Sequence, residues 1–370
     1  MFKIIKVAKS GLRRGLLKTA HGALVTPFYM PDATRGFVKL TDNEAVARTR
    51  TKALVVNTFH LYLQPSLKII EKAGGLHKFM NWPGPLLSDS GGFQVFSLIH
   101  KNGRMGKIMD DKVIFRSPLD GSKHELTPEK SIQIQFALGT DMMVCLDDCP
   151  PNDFSRPDLE KAVERTIAWA KRCKIEFEKQ VKKRKLRGVK RPLLFAVIQG
   201  GAEIDLRKYC AQELVKIGFD GYGFGARPVD INGNFLGEVL KATADFIPKN
   251  ALRFALGIGT PEDIYRCALM GWDMFDCVIP TREGRHGKLF FLKKFPKYET
   301  ANINNAKFAT VFRPINKNSR LPELKQATRA YLHHLFRLNE PLGHKLASLN
   351  NLEFYQQFMA KLSDIGSKRR

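Results

Sequence analysis

The 370-residue chain predicts an α/β fold, a (β/α)8 TIM barrel followed by a helical subdomain, and two features lead there. Short apolar runs alternate with segments of helical periodicity, the βα signature of a mostly parallel sheet. Several of those runs end directly in a polar or glycine-bearing turn, and strand C-termini are where such a barrel gathers its chemistry. A doubly wound open sheet would also place ligands there, but seven or more βα steps would overfill most open sheets.

The strand candidates are 53–57, 86–88, 142–146, 193–198, 221–224, 253–256 and 274–279. Between them the periodicity predicts helices over 65–73, 128–137, 157–180, 205–217, 236–246 and 261–270. The 128–137 helix has its entry signal in Thr127, a capping residue, with Pro128 at the first helical position. No composition shift marks a boundary before about residue 300. A Pro- and Asn-containing connection (302–322) and a helical tail follow, so the expected division is a catalytic barrel over 1–300 and a helical subdomain over 301–370.

Lys and Arg number 61 against 36 Asp and Glu, a net charge of +25. Such a surplus favours a polyanionic partner, because each neutralised phosphate releases condensed counterions; a merely solvated basic surface is the alternative. The six cysteines form no CxxC pair, and neither Cys145 nor Cys149 has a nearby histidine to complete a metal site. Reduced thiols in a cytoplasmic protein explain them best. No apolar run is long enough to span a bilayer, and Lys3, Lys6 and Lys9 interrupt the start.

Four strand ends carry candidate chemistry. Asp89 stands in Ser88-Asp89-Ser90-Gly91-Gly92, where the glycines allow a sharp turn and close approach of a flat ligand; it could exchange a proton or simply cap the next helix. Asp147 and Asp148 could bind the N–H edge of a purine-like base or cap a turn. Gln199 offers a donor and an acceptor to a heterocycle, or a purely structural amide. Asp276 lies inside an apolar run, where ionisation is unfavourable without a task or a partner. Arg282 and Arg285 follow it, so it reads either as a nucleophile beside phosphate-binding guanidinium groups or as half of a buried ion pair.

Nine stretches spread along the chain carry a family resemblance: NTFHLYLQPS (57–66), LLSDSGGFQVFSL (86–98), SPLDGSKHELTPEKSIQIQ (117–135), VIQGG (197–201), FDGYGFG (219–225), GIGTPEDI (257–264), MFDCVIPTREGRHG (274–287), NINNAKF (302–308) and RAYLHHLFRLNEPLG (329–343). In this order they resemble the tRNA-guanine transglycosylases, and together they are far more specific than any one motif. The resemblance implies a (β/α)8 barrel that exchanges the wobble guanine of GUN-anticodon tRNAs for a 7-deazaguanine base, preQ1 or queuine. By position, Asp276 matches the nucleophile that attacks the ribose C1′, and Asp89 matches the acid/base that manages the base's proton. Ser90, Gly91, Gly92, Phe93, Asp147, Gln199, Gly225, Ala226 and Leu256 match the base pocket, with Phe93 as stacking ring and Asp147 and Gln199 on the hydrogen-bonding edge. Gly257, Ile258, Gly259, Thr260, Pro261, Glu262 and Asp263 match one tRNA-contacting loop, and Thr281, Arg282, Glu283, Gly284 and Arg285 another. The resemblance implies tRNA as partner, no redox cofactor and a possible homodimer.

Two departures matter. The family's C-terminal zinc is held by three cysteines and a histidine, and the corresponding positions here are Ser319, Leu321, Leu324 and Asn350, while the adjacent His333 and His334 point to different helix faces. No metal is therefore expected, and Leu321, Leu324, Tyr331, Leu332 and Leu335 are expected to brace that region by packing. The family's Gly-Gly-Leu loop appears as Gly225-Ala226-Arg227, which could alter the base accepted. Cys149 after Asp147-Asp148 resembles members that use preQ1. The competing readings are a non-catalytic tRNA-binding paralogue, a queuine- or DNA-specific relative, and an unrelated small-molecule barrel enzyme.

Overall fold

The computed structural model describes residues 2–150, 154–230 and 232–365. Eight parallel strands form the central sheet: β1 (Phe28–Pro31), β2 (Leu54–Val56), β3 (Leu86–Ser88), β4 (Met142–Val144), β5 (Leu193–Ile198), β6 (Gly221–Phe224), β7 (Leu252–Ala255) and β8 (Met274–Cys277). Their order is β1-β8-β7-β6-β5-β4-β3-β2. A parallel bridge between Asp32 and Val55, with the Ala33 N–H donating to the Val55 carbonyl at 2.7 Å, joins the two ends into a barrel. The strands are runs of Leu, Val, Ile, Phe and Met because both faces are covered, one by the barrel interior and one by helices.

Seven of these strands and all six expected helices are present, with ends shifted by at most three residues. β1 is the one the pattern did not announce, since four residues ending in proline are too short to read. The described residues also contain three small antiparallel sheets absent from the sequence reading. One joins Phe2–Val7, Arg13–Thr19 and Gly22–Val25 below the barrel, and one joins Gly106–Ile108, Val113–Arg116 and Lys123–Leu126. The third, Lys288–Leu292 with Tyr298–Asn302, straddles the boundary expected at residue 300.

The C-terminal region is helical over Pro322–Gln326, Arg329–Arg337 and Pro341–Ile365, and its expected last five residues, 366–370, lie outside the described part. Leu321, Leu324, Leu332 and Leu335 are buried in one cluster as expected. Tyr331 is not, being 46% exposed, because the inward face of its helix runs through Ala330, Leu332, His333 and Leu335. The long last helix shares its core with the barrel through Phe354, Tyr355, Phe358, Met359 and Leu362.

The interior packing decides what the barrel mouth presents. Met30, Val55, Leu87, Val197, Phe254 and Met274 all fill the inner cluster. Side chains alternate along a strand, so two residues further on each chain turns the next residue toward the axis. Those residues are Asp32, Asn57, Asp89, Gln199, Leu256 and Asp276.

Candidate active site

The ring formed in this way opens into a cavity of about 750 Å3, lined among others by Asp89, Phe93, Asp147, Ala226, Leu256 and Asp276. Asp89 is fixed by three donors. Asn57 Nδ2 donates to its Oδ2 at 2.5 Å, and the amides of Thr58 and Gly91 donate to Oδ1 at 3.0 and 3.1 Å. Burial outweighs these hydrogen bonds, and the nearby Asp32 and Asp276 add to it, so the carboxyl is pushed up to about 7. Gly91 takes φ 78°, and a Cβ there would come within 3.0 Å of the Phe59 amide; the turn that presents Asp89 requires glycine. Gly92 next to it is buried against Leu146, Ser90 accepts from the Gly92 amide, and Phe93 stands 55% exposed at the mouth.

Asp276 has a single described hydrogen bond, from the Gly257 amide to Oδ1 at 2.9 Å. Burial raises it to about 6, with Asp32 contributing. Asp276 thus has one described donor where Asp89 has three, and desolvation raises both carboxyls.

The opposite wall carries Asp147, with Gln199 Nε2 donating to its Oδ2 at 2.6 Å. Burial first, and then Asp148, raises Asp147 to about 7. Asp148 itself turns away, paired with Arg165. Gln199 Oε1 is buried without a hydrogen-bond partner, an acceptor that a bound N–H would satisfy. Gly225 makes room for this amide, since a Cβ there would fall 2.3 Å from Gln199 Nε2. Ala226 adopts φ 89°, a left-handed conformation that favours glycine and so strains the alanine. Arg227 beside it is exposed and lines the cavity.

The two expected tRNA-contacting segments divide between outward and inward groups. Gly257 holds Asp276, Ile258 is buried in the core, and Gly259 packs on Cys277. Thr260 caps the helix Pro261–Leu269 by accepting from the Asp263 amide, and Glu262 accepts from Tyr298. The second segment is not a loop but the helix Ile279–Arg285, because Pro280 starts it and the long C-terminal helix supports it. Thr281 and Gly284 are buried on that contact, Arg282 is exposed at the cavity, and Glu283 lies against Arg282 and Lys288. Arg285 is half-buried near Asp32, with Nη1 unpartnered.

Two residues at the site escaped the sequence reading. Asp32 follows β1 and is held by the Thr34 amide and hydroxyl at 3.0 and 2.5 Å; its position beside Asp89 and Asp276 exists only once the barrel closes. Arg207 is fully buried and donates to the carbonyls of Ile198, Gly201 and Gly225, so it fixes both loops that carry Gln199 and Gly225. A signal for it was present: Cys210, Ala211 and Leu214 place it on the apolar face of its own helix.

The family model described as queuine tRNA-ribosyltransferase matches residues 9–364. The chain is similar to proteins of that name from Thermoanaerobacter pseudethanolicus, at 40% identity over 98% of this chain and 92% of the relative, and from Rickettsia typhi, at 41% over 95% and 92%. The Staphylococcus aureus protein of the same name is 40% identical over 97% of this chain and 90% of its own length. A match that covers barrel, cavity residues and C-terminal helices together leaves one assignment: this chain belongs to the queuine tRNA-ribosyltransferase family, enzymes that act as tRNA-guanine transglycosylases.

Proposed function

We propose that this enzyme exchanges the wobble guanine of GUN-anticodon tRNAs for preQ1, with Asp276 as nucleophile and Asp89 as acid/base. The observation that carries the proposal is the pair itself: two half-buried carboxylates lining one cavity, both raised above the usual carboxylate range. With Oδ1 held by the Gly257 amide, Asp276 attacks the ribose C1′ through its other oxygen. The C1′–N9 bond breaks, its electron pair leaves with guanine, and Asp89 donates a proton to the departing base. The incoming base returns a proton to Asp89 and displaces Asp276 from C1′. Two displacements retain the sugar's configuration, as in retaining glycosidases. Asp147 and the unpartnered Gln199 Oε1 accept N–H groups of the base, and Phe93 stacks on its face. The wobble nucleotide must leave its stack to reach this depth, which costs a few kcal/mol of binding.

The C-terminal region is proposed to hold no zinc. At the positions matching the family's ligands stand a hydroxyl, two leucines and an amide, a donor set that does not fit the ion. Hydrogen bonds occupy the same place. Ser319 Oγ donates to Glu353, the Arg320 amide donates to Glu353 at 2.7 Å, and Asn350 links Asn316, Phe290 and Asn351. A homodimer in the cytoplasm is part of the proposal. All six cysteines are free, and no helix among the described residues is long and apolar enough to cross a membrane.

Base exchange on tRNA with labelled guanine, preQ1 and queuine side by side tests the reading. Incorporation of guanine and preQ1, with an adduct trapped on the wild type and missing from Asp276→Asn, is expected. No adduct with intact protein would leave a non-catalytic paralogue, and preference for queuine or DNA would move the assignment to a relative of different specificity.

A further inference from the structure

Far from the active site, three potential metal ligands converge under the barrel. His21 lies in the turn of the hairpin Arg13–Thr19/Gly22–Val25, His77 in the helix Leu76–Met80, and Asp141 directly before β4. His21 Nδ1 is 2.9 Å from Asp141 Oδ1, and His77 Nε2 is 3.2 Å from Oδ2. Their ligand atoms all lie within 4.8 Å of one another. The two imidazoles stack with centroids 3.5 Å apart.

We propose that His21, His77 and Asp141 bind one divalent transition-metal ion at the N-terminal end of the barrel. Three observations carry it. First, His77 Nε2 is sealed from water and, despite its 3.2 Å approach to the carboxylate, is too poorly aligned to form a hydrogen bond with it. A lone pair pointed at a cation would resolve what is otherwise an orphaned buried nitrogen. Second, backbone amides orient the Asp141 carboxylate from outside the cluster. The Leu86 amide at 3.0 Å and the His21 amide at 3.3 Å hold the carboxylate in place, as outer-shell donors do in metal sites. Third, a cleft of about 270 Å3 lined by His21 and Asp141 opens beside the group and gives an ion a way in.

Two imidazoles and one carboxylate suit Zn2+, Co2+ or Ni2+ rather than Mg2+ or Ca2+, which prefer oxygen shells. An ion lies in the plane of each imidazole that binds it, so the stack must open on binding. His21, 38% exposed, is the ring free to turn. The ion would tie hairpin, helix and β4 together at the barrel end where TIM barrels build stability rather than catalysis.

The test is titration of chelator-stripped full-length protein with Zn2+ alone by calorimetry, and with Co2+ by visible absorption, comparing wild type with His21→Gln and His77→Gln. One ion per wild-type chain, a Tm raised by Zn2+, and loss of both effects in the variants are expected. The variants should keep wild-type circular dichroism and base-exchange rates. Should His77→Gln fail to fold, the more exposed His21→Gln carries the comparison. Absence of stoichiometric binding in the wild type, or equal affinity in the variants, overturns the site and leaves a His21–Asp141 hydrogen bond with His77 stacked beside it. Neither result bears on the transglycosylase assignment, whose readout is base exchange.

Discussion

Gly225→Ala isolates the base-reading wall from the carboxylates that perform the reaction. A Cβ at this position would lie 2.3 Å from Gln199 Nε2, 2.5 Å from its Cδ and 2.7 Å from Val197 Cγ1. Gln199 is completely buried, so its amide cannot escape the overlap by turning into solvent. It must shift within the wall, and the first thing lost is the 2.6 Å hydrogen bond to Asp147 Oδ2. A displaced amide no longer offers its free Oε1 to the base, and a hydrogen bond between neutral groups is worth about 0.5–1.5 kcal/mol. At about 1.4 kcal/mol per factor of ten, kcat/KM for the base should fall about twofold to tenfold. Asp89 and Asp276 are held by Asn57, Thr58, Gly91 and Gly257, none of which moves, so the effect should fall on KM for the base and spare KM for tRNA. Steady-state kinetics with the base varied at saturating tRNA, then the reverse, measure both. A folded Gly225→Ala protein with wild-type KM for guanine and preQ1 would refute the role given to this wall.

Three further outcomes follow from the same geometry. Ala226→Gly should raise stability by about 1 kcal/mol, since it removes the left-handed strain at φ 89° at the expense of some unfolded-state entropy; a lower Tm would contradict the strain. Asn351 bridges the Phe290 amide and the carbonyls of Pro280 and Lys288, so Asn351→Ala should destabilise by about 2–4 kcal/mol in urea titrations, and a loss within error would show that this network does not hold the C-terminal region. Asp89, Asp147 and Asp273 are raised to about 7 and Asp276 to about 6. Folded-state values above the unfolded one mean that their stabilising protonation is complete below about 3.8 and lost as pH climbs through 6–7. The Tm of the unliganded protein should therefore fall from pH 5.5 to pH 8, less steeply in Asp89→Asn, and a flat or rising Tm would exclude these shifts.

What could be read from the sequence depended on how completely each element is buried. β5, with six buried residues in succession, announces itself as a strand; β1, with four residues and a terminal proline, does not, and without it the barrel is one strand short. The strands Phe2–Val7 and Arg13–Thr19 place Lys6 and Arg13 on their drier faces and Ile5 and Val7 on a wetter one, so their alternation does not read as apolar against polar. Asp89 and Asp276 were visible because each interrupts or ends an apolar run. Asp32 was not, because Pro31-Asp32-Ala33-Thr34 reads as an ordinary turn until Met30 is seen to point into the barrel and Asp32 to follow it. Arg207 was passed over as one more cation in a basic chain, although its helical neighbours placed it inside.

The mouth of the barrel poses an electrostatic problem that the net charge of +25 does not by itself resolve. Asp32, Asp89, Asp147 and Asp276 make the floor acidic, yet the expected substrate is a polyanion. Depth separates the two demands: a neutral base and ribose can enter, while phosphates stay at the rim, where Arg227 and Arg282 are exposed on the cavity edge. Arg282 is the cleaner probe, because removing it does not orphan its neighbour; Glu283 keeps Lys288 at 3.8 Å. A single phosphate contact contributes about 0.7–0.9 to the slope of log affinity against log salt, so Arg282→Ala should reduce that slope by about this amount. Binding should weaken at low salt and converge with wild type at high salt, whereas KM for the free base should stay unchanged, because the base lies below the rim. Filter binding of tRNA over a salt series reads the slope directly. An unchanged slope would place the phosphates elsewhere on the basic surface and remove Arg282 from the interface.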